Sequence, residues 1–148
     1  MELISTYIET SDFDKSIEFY KKILQVDPII YCEGRWIEFD VGNKISLYNK
    51  KFDEDLINKN INISNNYNEA FINQFNLDKS DRKNNIVTFN FYTNKLNDEY
   101  VRIKSLGICN VSEIMYVNIV EPYYYFNVYD PDGNVLEICG DKIWRNYF

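Results

Sequence analysis

The chain has 148 residues, enough for one domain or two small modules sharing a core, and its 45% hydrophobic and 17% aromatic content can fill an interior. A formal net charge of −7 argues against nucleic acid or an anionic membrane, whose phosphates require a basic face, and fits a soluble protein or one whose ligand is cationic. The absence of histidine removes Cys/His and Ser/His/Asp catalysis, and no apolar run approaches the ~18 residues of a membrane span.

Leu3 to Glu9 alternates as a strand. Ser11 and Asp12 are placed to cap a helix whose apolar positions Phe13, Ile17, Tyr20 and Leu24 recur at helical spacing, and Pro28 closes the connection. Strands follow at Ile29 to Cys32, Trp36 to Val41 and Lys44 to Tyr48, the last two joined by a Gly42-Asn43 turn. Lys51 to Asn85 is polar and Asn-rich, with one short helix expected around Tyr67 to Phe75. A connection this long reads as a lid, a mobile segment or a solvated linker with one docked helix.

The order then recurs. Ile86 to Tyr92 reads as a strand, and Asn94 is placed to cap a helix with Leu96, Tyr100, Ile103 and Leu106 inward and Gly107 as its stop. Strands follow near Cys109 to Val117, at Tyr123 to Tyr129 and at Val135 to Cys139. The last two are joined by Pro131-Asp132-Gly133-Asn134, where Gly133 supplies a positive φ. Phe13, Ile17 and Tyr20 map onto Leu96, Tyr100 and Ile103 with an offset of 83 residues, and Gly42-Asn43 maps onto Gly133-Asn134 with an offset of 91.

Cys32, Cys109 and Cys139 are odd in number, lack metal spacing and fall on predicted strands, so they read as reduced, buried thiols of a cytoplasmic protein. The opening MELISTYIET lacks the basic and apolar regions of a signal peptide. Strand parity puts Ile4, Ile8, Ile37, Phe39, Ile45, Leu47, Val87, Phe89, Phe126, Val128, Leu136 and Ile138 on one, apolar face. The opposite parity is rich in tyrosine, with Trp36, Glu9, Glu38 and Glu137. Solvated faces favour Lys, Glu and Thr, whereas Tyr and Trp combine apolar area with a polar tip and suit a binding surface.

The two β-α-β-β-β units, the DFDKSIEFYKKIL helix and the DPDGNVLEI hairpin resemble the vicinal oxygen chelate superfamily, the glyoxalase, bleomycin-resistance and ring-cleaving dioxygenase group. The resemblance implies an α+β fold within one glyoxalase-like domain. Two modules, 1–50 and 86–140, would curve their mixed sheets into a cup with helices outside. An insert or lid would lie at 51–85 and a tail at 141–148. A homodimer is implied as well.

In metal-dependent members four strand residues hold a divalent ion. Their positions fall on Ser5, Ser46, Thr88 and Glu137, and the two repeat offsets reproduce this set. Three hydroxyls and one carboxylate are poor ligands for zinc, iron or nickel. No metal and no other cofactor is therefore expected, and these four positions read as vestigial. The expected function is binding of a small organic molecule, with a cation the favoured class, and without nucleic acid or membrane partners. The candidate ligand-binding residues are Tyr7, Glu9, Trp36, Glu38, Tyr48, Asn90, Tyr92, Tyr125 and Glu137. Rings and carboxylates together attract cations, and no base on this face visibly pairs with the acids. One alternative is a lactoylglutathione-lyase-like isomerase or lyase, with Glu137 as base and Tyr7, Tyr48 or Tyr92 stabilising the developing anion. Another is a non-catalytic interaction module. The tail aromatics Trp144, Tyr147 and Phe148 are expected against the cup rim or a partner subunit.

Overall fold

The computed structural model describes residues 4–60, 63–77, 87–118 and 122–141; Ile86 and the tail aromatics lie outside the described residues. The chain divides into two compact units, Met1–Arg82 and Lys83–Phe148.

The first unit runs β1 (Thr6–Thr10), α1 (Phe13–Leu24), β2 (Ile30–Cys32), β3 (Trp36–Asp40), β4 (Lys44–Asn49), α2 (Lys50–Lys59), α3 (Ile63–Asn66) and α4 (Glu69–Leu77). Its sheet has the order β1-β4-β3-β2, with β1 and β4 parallel and the other pairs antiparallel. A parallel partner cannot be reached through a tight turn, and α1 supplies the crossover. Asp12 caps α1 by accepting from the Lys15 amide at 3.1 Å. The helix buries Phe13, Phe19, Tyr20 and Ile23 on the face that carries Ile8, Ile37, Phe39, Ile45 and Leu47. The expected stripe through Ile17 and Leu24 is rotated, since both are only half-buried. The deepest line runs through Ser16, which is 1% exposed. A small polar residue there lets helix and sheet approach, and its polarity hides it from an apolar count.

The second unit repeats the plan: β5 (Thr88–Thr93), α5 (Leu96–Leu106), β6 (Met115–Asn118), β7 (Pro122–Tyr129) and β8 (Val135–Gly140), in the order β5-β8-β7-β6. Leu96 and Ile103 are buried, and the Tyr100 ring meets Phe126 edge-on at 5.2 Å. Asn94 does not cap α5. The cap position is Lys95, which makes no side-chain cap bond, and its amide donates instead to Thr93 Oγ1 at 3.1 Å. The strand expected from Cys109 begins only at Met115. Upstream, Ser112 exchanges bonds with Asn127 through both its backbone and its hydroxyl, and this local bonding competes with a regular ladder.

The repeat is written into the ladders. Tyr7 pairs with Ser46 and Ser46 with Glu38, while Asn90 pairs with Glu137 and Glu137 with Asn127. The second hairpin is the longer one. Asp130 to Asn134 separate the Tyr129–Val135 pair, whereas Val41 to Asn43 separate Asp40 and Lys44. An aspartate organises each turn. Asp40 accepts from the Gly42 amide at 3.1 Å; Asp130 accepts from the Asp132 and Asn134 amides at 2.9 and 2.8 Å. Gly133 takes φ 83°. β8 ends at Gly140, where a Cβ would lie 1.9 Å from the Thr93 carbonyl oxygen, so no larger residue fits beside β5.

Three expectations are corrected here. Ile4 and Val87 are 76% and 54% exposed, because they precede β1 and β5 and lie outside the sheets. Of the cysteines, only Cys139 is buried; Cys32 is exposed on the edge strand β2 and Cys109 is half-buried in a loop. Among the described residues the insert holds three helices. The helix expected at Tyr67 to Phe75 appears as α4, but α2 was not visible, since Phe52, Leu56 and Ile57 are too few to mark an apolar stripe.

Candidate functional site

On the non-helical face of the first sheet, Tyr7, Trp36 and Tyr48 form an aromatic group. Tyr7 lies 5.2 Å from Trp36 and 6.3 Å from Tyr48, ring centre to ring centre. Ser5 and Ser46 share a hydrogen bond of 2.8 Å, and Ser46 donates to Glu38 Oε2 at 3.2 Å. The acids here are not bare. Lys44 lies 3.3 Å from Glu38 Oε1, and Lys50 lies 3.8 Å from Glu9. Lys44 shares parity with Ser46, so strand alternation alone places it on this face beside Glu38. Glu38, Ser46 and Tyr48 are also buried, not open to solvent.

Tyr48 leads to a cluster that the sequence did not suggest. Its hydroxyl donates to Asp53 of α2, a fully buried carboxylate. Arg35 Nε donates to both Asp53 oxygens at 2.9 and 3.0 Å, its Nη2 lies 2.9 Å from Oδ2, and Tyr67 donates to Oδ1 at 2.6 Å. Arg35 is aimed by the turn before β3, where Glu33 and Gly34 both take positive φ. Burial alone would raise the Asp53 carboxyl, but hydrogen bonds from Arg35, Tyr48 and Tyr67 and the guanidinium charge hold it below the usual carboxylate range. Burial and the bond to Asp53 push Tyr67 up to about 12. A cleft of about 950 Å³ opens beside this cluster, lined among others by Arg35, Phe52, Asp53, Leu56, Tyr67 and Phe71. Its floor carboxylate is fully compensated, so it presents no uncovered charge there.

The second sheet presents the same face differently. Asn90, Glu137 and Asn127 form one cross-strand row, and Tyr92, Cys139 and Tyr125 form the next. Asn90 Nδ2 donates to Glu137 Oε1 at 2.6 Å and to Tyr123 Oη at 2.9 Å, and the Tyr123 hydroxyl donates to the same Oε1 at 2.7 Å. Burial, then bonding to Cys139 and Glu137, raises the Tyr123 hydroxyl above its ordinary value. Among the described residues no cation pairs with Glu137. The position equivalent to Lys44 is Val135, and the position equivalent to Glu9 is Tyr92. Tyr123 and Tyr125 lie 5.4 Å apart, and Tyr92 is 68% exposed. Tyr123 was missing from the predicted set. It has the right parity but pairs with Val117, and reaches Glu137 only through the length of its side chain.

No family model and no curated protein matches the sequence. Solved structures do match. A glyoxalase/bleomycin resistance protein/dioxygenase family enzyme from Burkholderia phytofirmans has a TM-score of 0.68 at 15% identity, covering 95% of this chain and 98% of that one. A lactoylglutathione lyase from Agrobacterium tumefaciens has a TM-score of 0.59 at 16% identity, covering 97% and 96%. A glyoxalase-related enzyme from Fulvimarina pelagi has a TM-score of 0.63 at 10% identity, covering 95% and 88%. The fold is the glyoxalase fold. It carries two four-stranded mixed sheets with helices, as the motifs implied.

The glyoxalase fold raises the question of a metal, and the four donors present do not fit one. Ser5 and Ser46 bond to each other, exposed Thr88 pairs with Val135 and not with Glu137, and Glu137 is the single carboxylate of the four. Among the described residues no three His, Cys, Asp or Glu side chains gather as a metal group. Neutral hydroxyls do not replace imidazole, carboxylate or thiolate. Of the tyrosines named for anion stabilisation, Tyr48 donates to Asp53, and the hydroxyl that touches Glu137 is that of Tyr123.

Proposed function

We propose that this glyoxalase-fold protein binds a small organic cation, without metal, at the Glu137 constellation of its second sheet. One observation carries the reading. Of the three predicted acids, Glu9 and Glu38 face Lys50 and Lys44, whereas Glu137 has, among the described residues, only the neutral donors Asn90 and Tyr123. Neutral donors orient a carboxylate and leave its charge for a partner. Nearby rings add cation–π attraction of about 0.5–2 kcal/mol each, and the net charge of −7 favours cation approach. A thermal-shift screen with basic glycopeptides, amines and aromatic cations should raise the melting temperature, and Glu137→Gln should abolish the rise while Glu9→Gln and Glu38→Gln retain it. A response unchanged by Glu137→Gln places the site elsewhere. Elemental analysis of protein purified without chelator tests the metal-free part: one tightly held divalent ion per chain overturns it.

The reading includes a cytoplasmic homodimer. Three free thiols support a reducing compartment, and exposed Ile30 and Tyr31 on edge strand β2, with Tyr116 and Val117 on β6, offer apolar edges. Light scattering should give twice the chain mass; a monomer removes that part.

A further inference from the structure

We infer that the cation accepted at Glu137 must itself donate hydrogen bonds: a primary or secondary ammonium, an amidinium or a guanidinium, and not a quaternary ammonium. The inference rests on the cation-binding reading and narrows it to a chemical class.

Donors converge on one oxygen of the Glu137 carboxylate and leave the other open. Both polar neighbours of Glu137 direct their hydrogens inward. Asn90 Nδ2 bonds Glu137 Oε1 at 2.6 Å and Tyr123 Oη at 2.9 Å, and the Tyr123 O–H closes the triangle on Oε1 at 2.7 Å. Cys139 Sγ donates to Asn90 Oδ1 at 3.5 Å, so the thiol hydrogen is also turned into the cluster. The other carboxylate oxygen, Oε2, receives no donor among the described residues and is not fully buried. Across the row, the ladder partner Asn127 has its Oδ1 buried and, among the described residues, without a donor, so Oε2 is the acceptor left open to a ligand.

The open atom of the carboxylate, Oε2, is therefore an acceptor, while Asn90, Tyr123 and Cys139 spend their hydrogens inside the cluster. An acceptor-rich site is complemented by N–H groups, and a charged N–H on a carboxylate makes a stronger bond than a neutral one. A quaternary ammonium has no N–H and relies on the faces of surrounding rings. Here the Tyr123 ring turns its hydroxyl edge to Glu137 and not its face.

The test compares three probes of similar ring size on the wild-type full chain: benzylamine, benzamidine and benzyltrimethylammonium, titrated against protein amide resonances by NMR. Benzylamine and benzamidine are expected to bind at least about tenfold more tightly than the trimethyl compound, the ratio expected from losing a charged hydrogen bond. A smaller ratio, or a reversed one, overturns this inference while leaving cation binding in place. Failure of all three probes to bind overturns it together with the cation-binding reading. Glu137→Gln, which keeps the shape and removes the charge, should erase the preference; a preference that survives it overturns the inference by placing the selective site elsewhere.

Discussion

Two carboxylates in this chain, Asp53 and Glu137, each accept a tyrosine hydroxyl, and they end in opposite roles. Asp53 is fully buried and also takes a guanidinium and a second tyrosine. Glu137 is half-buried and takes one amide and one tyrosine, with no cation among the described residues. The difference is one arginine. A guanidinium neutralises its carboxylate and ties elements together, here α2, the residues before α4, and the start of β3. An amide only aims its carboxylate, and the charge remains available.

The comparison can be broken at either end. The largest effect is expected for Arg35→Met, which leaves Asp53 buried without its cation. We expect a loss of about 3 kcal/mol in urea unfolding, the low end for a broken buried pair because Tyr48 and Tyr67 still donate. A loss under about 1 kcal/mol would mean that the cluster is not a tie. Acid should act on the same group. Its folded pKa lies below the ordinary value of about 3.9. The unfolded chain therefore takes up the proton first, and the contribution is complete above about pH 4 and fades as pH falls further. Urea midpoints from pH 7 to pH 2.5 should fall less for Asp53→Asn than for the wild type. In alkali the sign reverses for Tyr67. Its stabilisation is complete below the ordinary value of about 10 and is lost as pH rises through about 12.

Tyr67→Phe removes one of the donors and should cost about 1 kcal/mol. Cleavage by a protease near Tyr67 should speed up in this variant, and an unchanged rate would leave the residues before α4 independent of Asp53. The smallest stability effect is expected at the other carboxylate. Glu137→Gln should change unfolding free energy by less than about 0.5 kcal/mol, in the range of ordinary surface substitutions. A loss near that of Arg35→Met would make Glu137 a structural group and erase the contrast.

The sheets were legible in the sequence because their signals are local. Alternation at period two, the Gly42-Asn43 and Gly133-Asn134 turns, and the recurrence of Phe13 and Tyr20 as Leu96 and Ile103 each need only a few neighbouring residues. The two offsets even held in the ladders, where Tyr7–Ser46 and Asn90–Glu137 are equivalent pairs. Asp53 was not legible. Its partners Arg35, Tyr48 and Tyr67 come from a turn, a strand and a loop, and polar convergence of that kind leaves no period. The candidate constellation was half legible. Parity placed Glu137 and Asn90 on one row and Tyr92 and Tyr125 on the next, but it could not say which acids had cations, because that depends on where Lys44 and Lys50 turn their amines. Nor could it rank Tyr123, which reaches Glu137 diagonally.

The paired ladders carry a consequence for redesign. Glu38–Ser46 and Asn127–Glu137 are the same rung in the two modules, and each rung holds one acid on opposite strands. The charge has been transposed across the rung, not added or removed. Trading the rung by Glu38→Asn with Ser46→Glu, and replacing Lys44 by the valine of its counterpart, would carry the acid across the first module's rung and leave it without its lysine. The amide donor would still be missing, because Tyr7 stands where the second module has Asn90, and a fourth substitution, Tyr7→Asn, would supply it.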